Sequence, residues 1–207
     1  MKPTITTLGL LAGLVISGSA SAQSSVVSFK LVPNPKFEAC LGVPGGLTPT
    51  ATATVVRGKL NDTLHLRVSN LRPDRAFDLF TVQRTSLLAS GAPDPSFNGD
   101  YGLAWYQSDV EADKKGDAEV TIKTILLDQI FGFDPLVNLA PTNTFHLGFW
   151  FNNPTDAAAC GFDVTKPTPF NGEHQAGPLA MISLPNAETG VGPLCTKPGP
   201  NGGACNP

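Results

Sequence analysis

The sequence predicts an all-β protein: a two-sheet antiparallel β-sandwich, Ig-like or jelly-roll, of about eight strands with one or two short helical turns in its loops. Three observations carry that expectation. Apolar–polar alternations of period two recur at hairpin spacing along the chain. Gly and Pro together number 40 of 207 residues while charged residues make up only 15%, the balance of a turn-rich β protein. No helical period and no solenoid-type repeat competes with that pattern.

The strands follow in order. Ser25 to Val32 places Val27, Phe29 and Leu31 on one face and Ser28 and Lys30 on the other, until Pro33 and Pro35 end it. A Gly/Pro-rich loop runs through Cys40 to Pro49. Ala51 to Arg57 is small and β-branched, and turn residues Gly58 to Asp62 lead into Thr63 to Ser69, where Leu64, Leu66 and Val68 alternate with His65 and Arg67; these two strands make a hairpin. Ala76 to Gln83 is apolar on both faces, which predicts an interior place in its sheet. After a loop from Leu87 to Asp100, broken by Pro93, Pro95 and Asn98-Gly99, the fifth strand is Tyr101 to Ser108. Lys115-Gly116-Asp117 reverses the chain into Ala118 to Leu126, with Val120, Ile122 and Leu126 directed inward. Residues 128–139 have room for one helical turn before Pro141.

The seventh strand, Thr144 to Phe151, is the expected centre of the fold. Phe145, Leu147, Phe149 and Phe151 share one face, and burial of each contributes about 1.5–3 kcal/mol; His146, Gly148 and Trp150 share the other. Asn153-Pro154 has the chemistry of an N-cap followed by proline in the first helical turn, so a short helix is expected from Pro154 to Ala159, ending near Gly161. Gly177 to Leu184 is the eighth strand, followed by a Gly/Pro-rich tail over 186–207.

Residues 1–22 form a leader: Lys2, an apolar run from Leu8 to Ile16, then Ala20-Ser21-Ala22, in the order of a secretory signal peptide. The expected product is one domain of residues 23–185 plus its tail, secreted or held at the cell surface. No stretch reaches the ~18 uninterrupted apolar residues of a membrane span. Without Lys2 the chain has 13 basic against 17 acidic side chains, net −4 and scattered, which argues against nucleic acid or an anionic membrane as partner. Export makes two disulfides the expected use of the four cysteines; of the three possible connectivities the favoured one is Cys195–Cys205 closing the tail with Cys40–Cys160 tying an early loop to the 152–176 segment. Asn61-Asp62-Thr63 matches a glycosylation acceptor, but the short leader and simple tail point to a bacterial source, where the match carries little weight.

Four chemistries are weighed on the residues. A metal site would use His146 and His174 with Glu173 and Asp109, yet no His-x-His or His-Glu-x-x-His spacing is present, and a hydrogen-bonded structural histidine explains the same residues. Asp109, Glu111, Asp113 and Asp117 resemble a calcium loop only loosely, with Lys114 and Val120 where glycine and glutamate belong. Nucleophilic catalysis lacks a Gly-x-Ser-x-Gly elbow. An aromatic binding face of Trp105, Tyr106, His146, Trp150 and His174, rimmed by amides, suits sugar rings, while the structural alternative places both tryptophans in the core.

The resulting expectation is a non-catalytic binding or surface protein, without a cofactor, whose partner is a polysaccharide or another extracellular polymer. The alternatives are a metal-dependent enzyme or hydrolase built on His146 and His174, and a self-assembling fibre subunit that pairs the edge strand Ser25 to Val32 with a neighbour.

Overall fold

The computed structural model describes residues 26–58, 61–124, 144–168 and 176–195. It is all-β. The strands are β1 (Val26–Pro33), β2 (Thr50–Val56), β3 (Asp62–Ser69), β4 (Ala76–Val82), β5 (Ala104–Glu111), β6 (Ala118–Thr124), β7 (Thr144–Phe151), β8 (Leu179–Ser183) and β9 (Leu194–Cys195). Each segment of strand-like alternation became a strand. The fifth slid by three residues, because the Tyr101 carbonyl accepts the backbone N–H groups of Gln83 and Arg84 at 3.1 Å and so belongs to the preceding loop.

The two-sheet arrangement expected from hairpin spacing is replaced by a single sheet in the order β5-β4-β7-β8-β1-β2-β3-β6, all neighbours antiparallel. The joint is β1, which pairs with β2 over Val26–Leu31 and with β8 over Leu31–Pro33. The ends of that order, β5 and β6, are consecutive in sequence and joined by the short turn 112–117. The sheet therefore curls until its two ends approach each other, giving a nearly closed barrel. In that order β1 is an interior strand and not the edge strand that the fibre reading named; it pairs with β2 along Val26–Leu31 and with β8 only at Leu31–Pro33.

The barrel interior is filled by the inward row of each strand: Ala51, Ala53 and Val55 from β2, Leu64, Leu66 and Val68 from β3, Phe77 and Leu79 from β4, and Phe145, Leu147, Phe149 and Phe151 from β7. Val120 and Ile122 of β6 pack against this core, partly buried; Leu126 lies outside the described residues. As its two apolar faces predicted, β4 lies between β5 and β7. Two bulges adjust the register: Gln107 is skipped between the β4–β5 pairs Leu79–Ser108 and Phe80–Tyr106, and Ala180 is skipped between the β7–β8 pairs Phe149–Met181 and Trp150–Leu179. The second bulge lets both Ala180 and Met181 reach the core.

A second apolar cluster lies on the outside of the wall. Phe80, Val82, Trp150, Leu179 and Ile182 project outward from β4, β7 and β8, and Leu87 and Tyr101 of the 83–103 loop close over them. The loop holds its shape through its own bonds: Leu103 N–H donates to Gln83 Oε1 (2.7 Å), Asp94 N–H to Ser86 O (2.9 Å) and Leu88 N–H to Ala92 O (2.8 Å). Beneath it, Gly148 leaves room for a neighbour, since a Cβ there would sit 3.1 Å from Ile182 Cγ1 and 3.1 Å from the Met181 carbonyl.

The helical elements are short. The Asn153 side chain accepts the Thr155 N–H (3.0 Å), Pro154 follows, and a 3-10 helix (Pro154–Cys160) ends at Gly161 in the left-handed region, φ 84°. A four-residue helix, α1 (Glu38–Leu41), occupies what reads in sequence as loop; it forms because Phe37, Cys40 and Leu41 all bury against the core. The expected Cys40–Cys160 disulfide joins these two pieces, and Asp156 of the 3-10 helix forms an ion pair with Arg75. The sheet also reaches past residue 185, since Leu194 is fully buried and β9 pairs with the start of β7. The leader 1–22, the residue 128–139 turn and the Cys195–Cys205 pairing fall, in whole or in part, outside the described residues. Among the described residues no helix is long and apolar enough to cross a membrane.

The Cys40–Cys160 bridge closes a loop 120 residues long. Replacing both cysteines by alanine is expected to lower unfolding free energy by about 2–5 kcal/mol in guanidinium titration, through the entropy returned to the unfolded chain. An unchanged midpoint would show the bridge to be dispensable.

Candidate functional site

The five residues of the expected aromatic face do not form one surface. His146 and Trp150 point to the same, outer side of β7, as their spacing requires, but that side is covered. Trp150 is 0% exposed: Phe80 and Tyr101 meet it edge-on, with ring centroids 5.6 and 5.1 Å away. Phe97 continues the aromatic chain against Tyr101, 4.7 Å away, and the Arg84 guanidinium lies over Phe97 at 5.7 Å. His174, with Glu173, lies outside the described residues.

Trp105 and Tyr106 are the exposed members, at 54% and 49%. Consecutive on β5, they face opposite ways. Tyr106 lies on the outer side, packing edge-on against Phe80 at 5.6 Å, while Trp105 pairs with Thr81 and faces the other way. Two polar contacts fix this strand. Tyr106 Oη donates to Asp109 Oδ1 (2.8 Å), and Gln107 Nε2 donates to Thr81 Oγ1 (3.2 Å). Partial burial, then the bond to Asp109, pushes the Tyr106 phenol up to about 12, so it stays protonated and able to donate. Next to them, buried Asp78 lies opposite Asp109 in the ladder and accepts Asn152 Nδ2 at 3.1 Å.

His146 forms part of a separate feature, an open cavity of about 560 Å³ between the first half of the 83–103 loop and residues 185–190. The imidazole is 4% exposed, and its Nδ1 lies 3.0 Å from the Ser183 carbonyl. A carbonyl only accepts, so Nδ1 carries the proton and Nε2 keeps its lone pair. Burial pulls the imidazole down to about 4, so the ring is neutral at ordinary pH. Ser183 is also buried, and its hydroxyl accepts the Leu147 N–H at 3.1 Å. The Ser–His contact at 3.3 Å is therefore a brace within the wall and lacks an accessible nucleophile.

The ladder also separates the two described members of the expected metal set. His146 pairs with Val82 and Asp109 pairs with Asp78, which places them roughly 13 Å apart along β4. Among the described residues no group of three or more His, Cys, Asp and Glu side chains is arranged to hold a metal. At the β5–β6 turn Asp113 Oδ1 accepts the backbone N–H groups of Asp117 (3.0 Å) and Lys115 (2.7 Å), which hold its carboxyl below the usual range; this carboxylate closes the turn. His65 is bonded to Thr121 Oγ1 at 2.9 Å, near the exposed Arg67–Glu119 pair.

The cavity itself has no signature in the sequence, because residues 84–90 and 185–190 meet only through long-range folding. No family model, no curated protein and no solved structure matches the chain.

The depressed His146 pKa has a measurable consequence. Between about 4 and 6.5 the unfolded chain binds a proton that the folded chain does not. Its contribution to stability is whole above 6.5 and is lost as pH falls to about 4, by roughly 3 kcal/mol in all. NMR titration of the His146 ring protons checks this: no protonation is expected down to pH ~5, and a midpoint near 6.5 would contradict it.

Proposed function

We propose that this chain is an exported, non-catalytic protein that holds a polysaccharide or another extracellular polymer through the Trp105–Tyr106 rim of β5. Export rests on the order of charge, apolar run and small residues within 1–22. The observation that supports binding is the exposure of two adjacent aromatic rings on a strand whose side-chain contacts fix it. Exposed aromatic rings offer rigid apolar area on which the C–H faces of sugar rings can stack. β5 stands at one end of the strand order, so its rings lie on opposite sides of one rim. A small ligand could touch either ring; a chain polymer crossing the rim could touch both. Amide and carboxylate groups of Gln107 and Asp109 stand beside the rings to take hydroxyls. The hydrolase and metal readings, built on His146 and His174 with Glu173 and Asp109, draw less support, since His146 is buried and the ladder sets Asp109 apart from it.

Pull-down on insoluble polysaccharides tests the proposal. Trp105→Ala is expected to reduce retention about tenfold or more while leaving stability within about 0.5 kcal/mol, because the side chain is at the surface. Trp150→Ala, by contrast, is expected to cost about 3–5 kcal/mol of stability through the cavity it leaves. Equal retention of the parent and Trp105→Ala proteins, or no retention of the parent on any polymer, would refute the reading.

A further inference from the structure

The loop that covers the outer wall carries a residue pair able to rewrite its own backbone. Asn98 and Gly99 are both exposed. The other two Asn-Gly pairs of the chain, 171–172 and 201–202, lie outside the described residues. In such a pair the backbone nitrogen of the glycine can attack the side-chain carbonyl carbon of the asparagine, since no Cβ stands in the way.

The local geometry favours that attack. Gly99 holds a left-handed φ of 95°, and beyond its chain neighbours no heavy atom lies within 4 Å of the place a Cβ would take. Asn98 Oδ1 accepts the Asp100 N–H at 3.2 Å, an Asx turn that folds the side-chain amide back along the Gly99 peptide. Groups held together in one turn react without a prior encounter. The same N–H points at the oxygen on which negative charge develops as the nitrogen adds, and so stabilises the addition.

The reaction needs only water. Gly99 N gives up its proton and bonds to Asn98 Cγ, the Cγ–Nδ2 bond breaks, and Nδ2 leaves as ammonia with that proton. Water then opens the five-membered imide. Cleavage of the new bond leaves aspartate; cleavage of the original peptide bond leaves isoaspartate, whose main chain runs through Cβ and Cγ and is one methylene longer. Nothing is oxidised or reduced.

The position gives this change leverage on the wall. On one side of the pair, Phe97 packs against Tyr101 at 4.7 Å, and Tyr101 against Trp150 at 5.1 Å. On the other, Asp100 Oδ1 accepts the Gly102 N–H at 2.7 Å, and Asp100 Oδ2 lies 3.9 Å from Arg84. A methylene added between them displaces one anchor relative to the other, and a new carboxylate stands close to Asp100.

We propose that Asn98 is a site of spontaneous deamidation, whose isoaspartate product loosens the 83–103 loop over Trp150. The proposal stands independently of polymer binding at β5.

Ageing the intact Trp105→Phe protein in mildly alkaline buffer tests it, with peptide mapping by a fragmentation that separates isoaspartate from aspartate. Cleavage after Arg84 and Lys114 isolates Asn98 as the sole asparagine of its peptide. Asn98 is expected to disappear with time, isoaspartate to be the main product, and acrylamide quenching of Trp150 to rise in step with it. In the Trp105→Phe/Asn98→Ser protein the hydroxyl keeps a short acceptor for the turn but cannot form the imide, and no rise is expected. An Asn98 that persists, aspartate without isoaspartate, quenching unmoved as isoaspartate accumulates, or an equal rise in the Asn98→Ser variant would overturn the proposal.

Discussion

Burial of β7 on both faces is the constraint from which the rest of this structure follows. Phe149 and Trp150 are neighbours in sequence, point opposite ways, and are each completely buried. A strand covered on one side only would need a sheet and a core. A strand covered on both needs an additional layer, and here that layer is the 83–103 loop folded against the outside of the wall. Gly148 belongs to the same arrangement. Between His146 and Trp150 on the outer side, it leaves the space into which Ile182 packs. Fully burying side chains of this size contributes about 1.5–3 kcal/mol each, which offsets much of the entropy lost in ordering a long loop.

Covering that face decides where chemistry can take place. Trp150 is an anchor for the loop, through Tyr101 and Phe80, and is withdrawn from any ligand at the surface. His146, at the other end of the same row, lies where the cover thins into a cavity, and its neutral ring is a consequence of its burial. The exposed aromatic area is left to β5, beyond the reach of the loop. The β5 rim and the surroundings of His146 are therefore two separate places, although their residues read in sequence as one face.

Much of the fold is legible in the sequence, and what is not has physical reasons. The inward row of β7, the β2–β3 hairpin and the Asn153-Pro154 to Gly161 turn are written in local periodicity and capping chemistry. Four cysteines allow three pairings, so their count alone did not select Cys40–Cys160; that expected bridge forms because the fold brings α1 and the 3-10 helix together. Local pattern carries no information on which strands from distant parts of the chain meet. The β1–β8 pairing that merges two sheets into one is of that kind, as is the descent of the 83–103 loop onto Trp150. Bulges at Gln107 and Ala180 leave no mark in composition, and α1 exists because tertiary contacts bury Cys40 and Leu41. For the candidate site, alternation correctly put His146 and Trp150 on one side of β7. Solvent exposure was the part it could not convey, because the covering loop lies more than forty residues earlier in the chain.

The account stands or falls on the environment of Trp150. With Trp105 changed to phenylalanine, Trp150 becomes the sole tryptophan of the chain, and its fluorescence reports directly on the outer face of β7. The structure predicts emission at apolar wavelengths and almost complete protection from acrylamide and iodide until the protein unfolds. Solvent-like emission from the folded protein, quenched as readily as that of free tryptophan, would show that face open to water and contradict the account at its base.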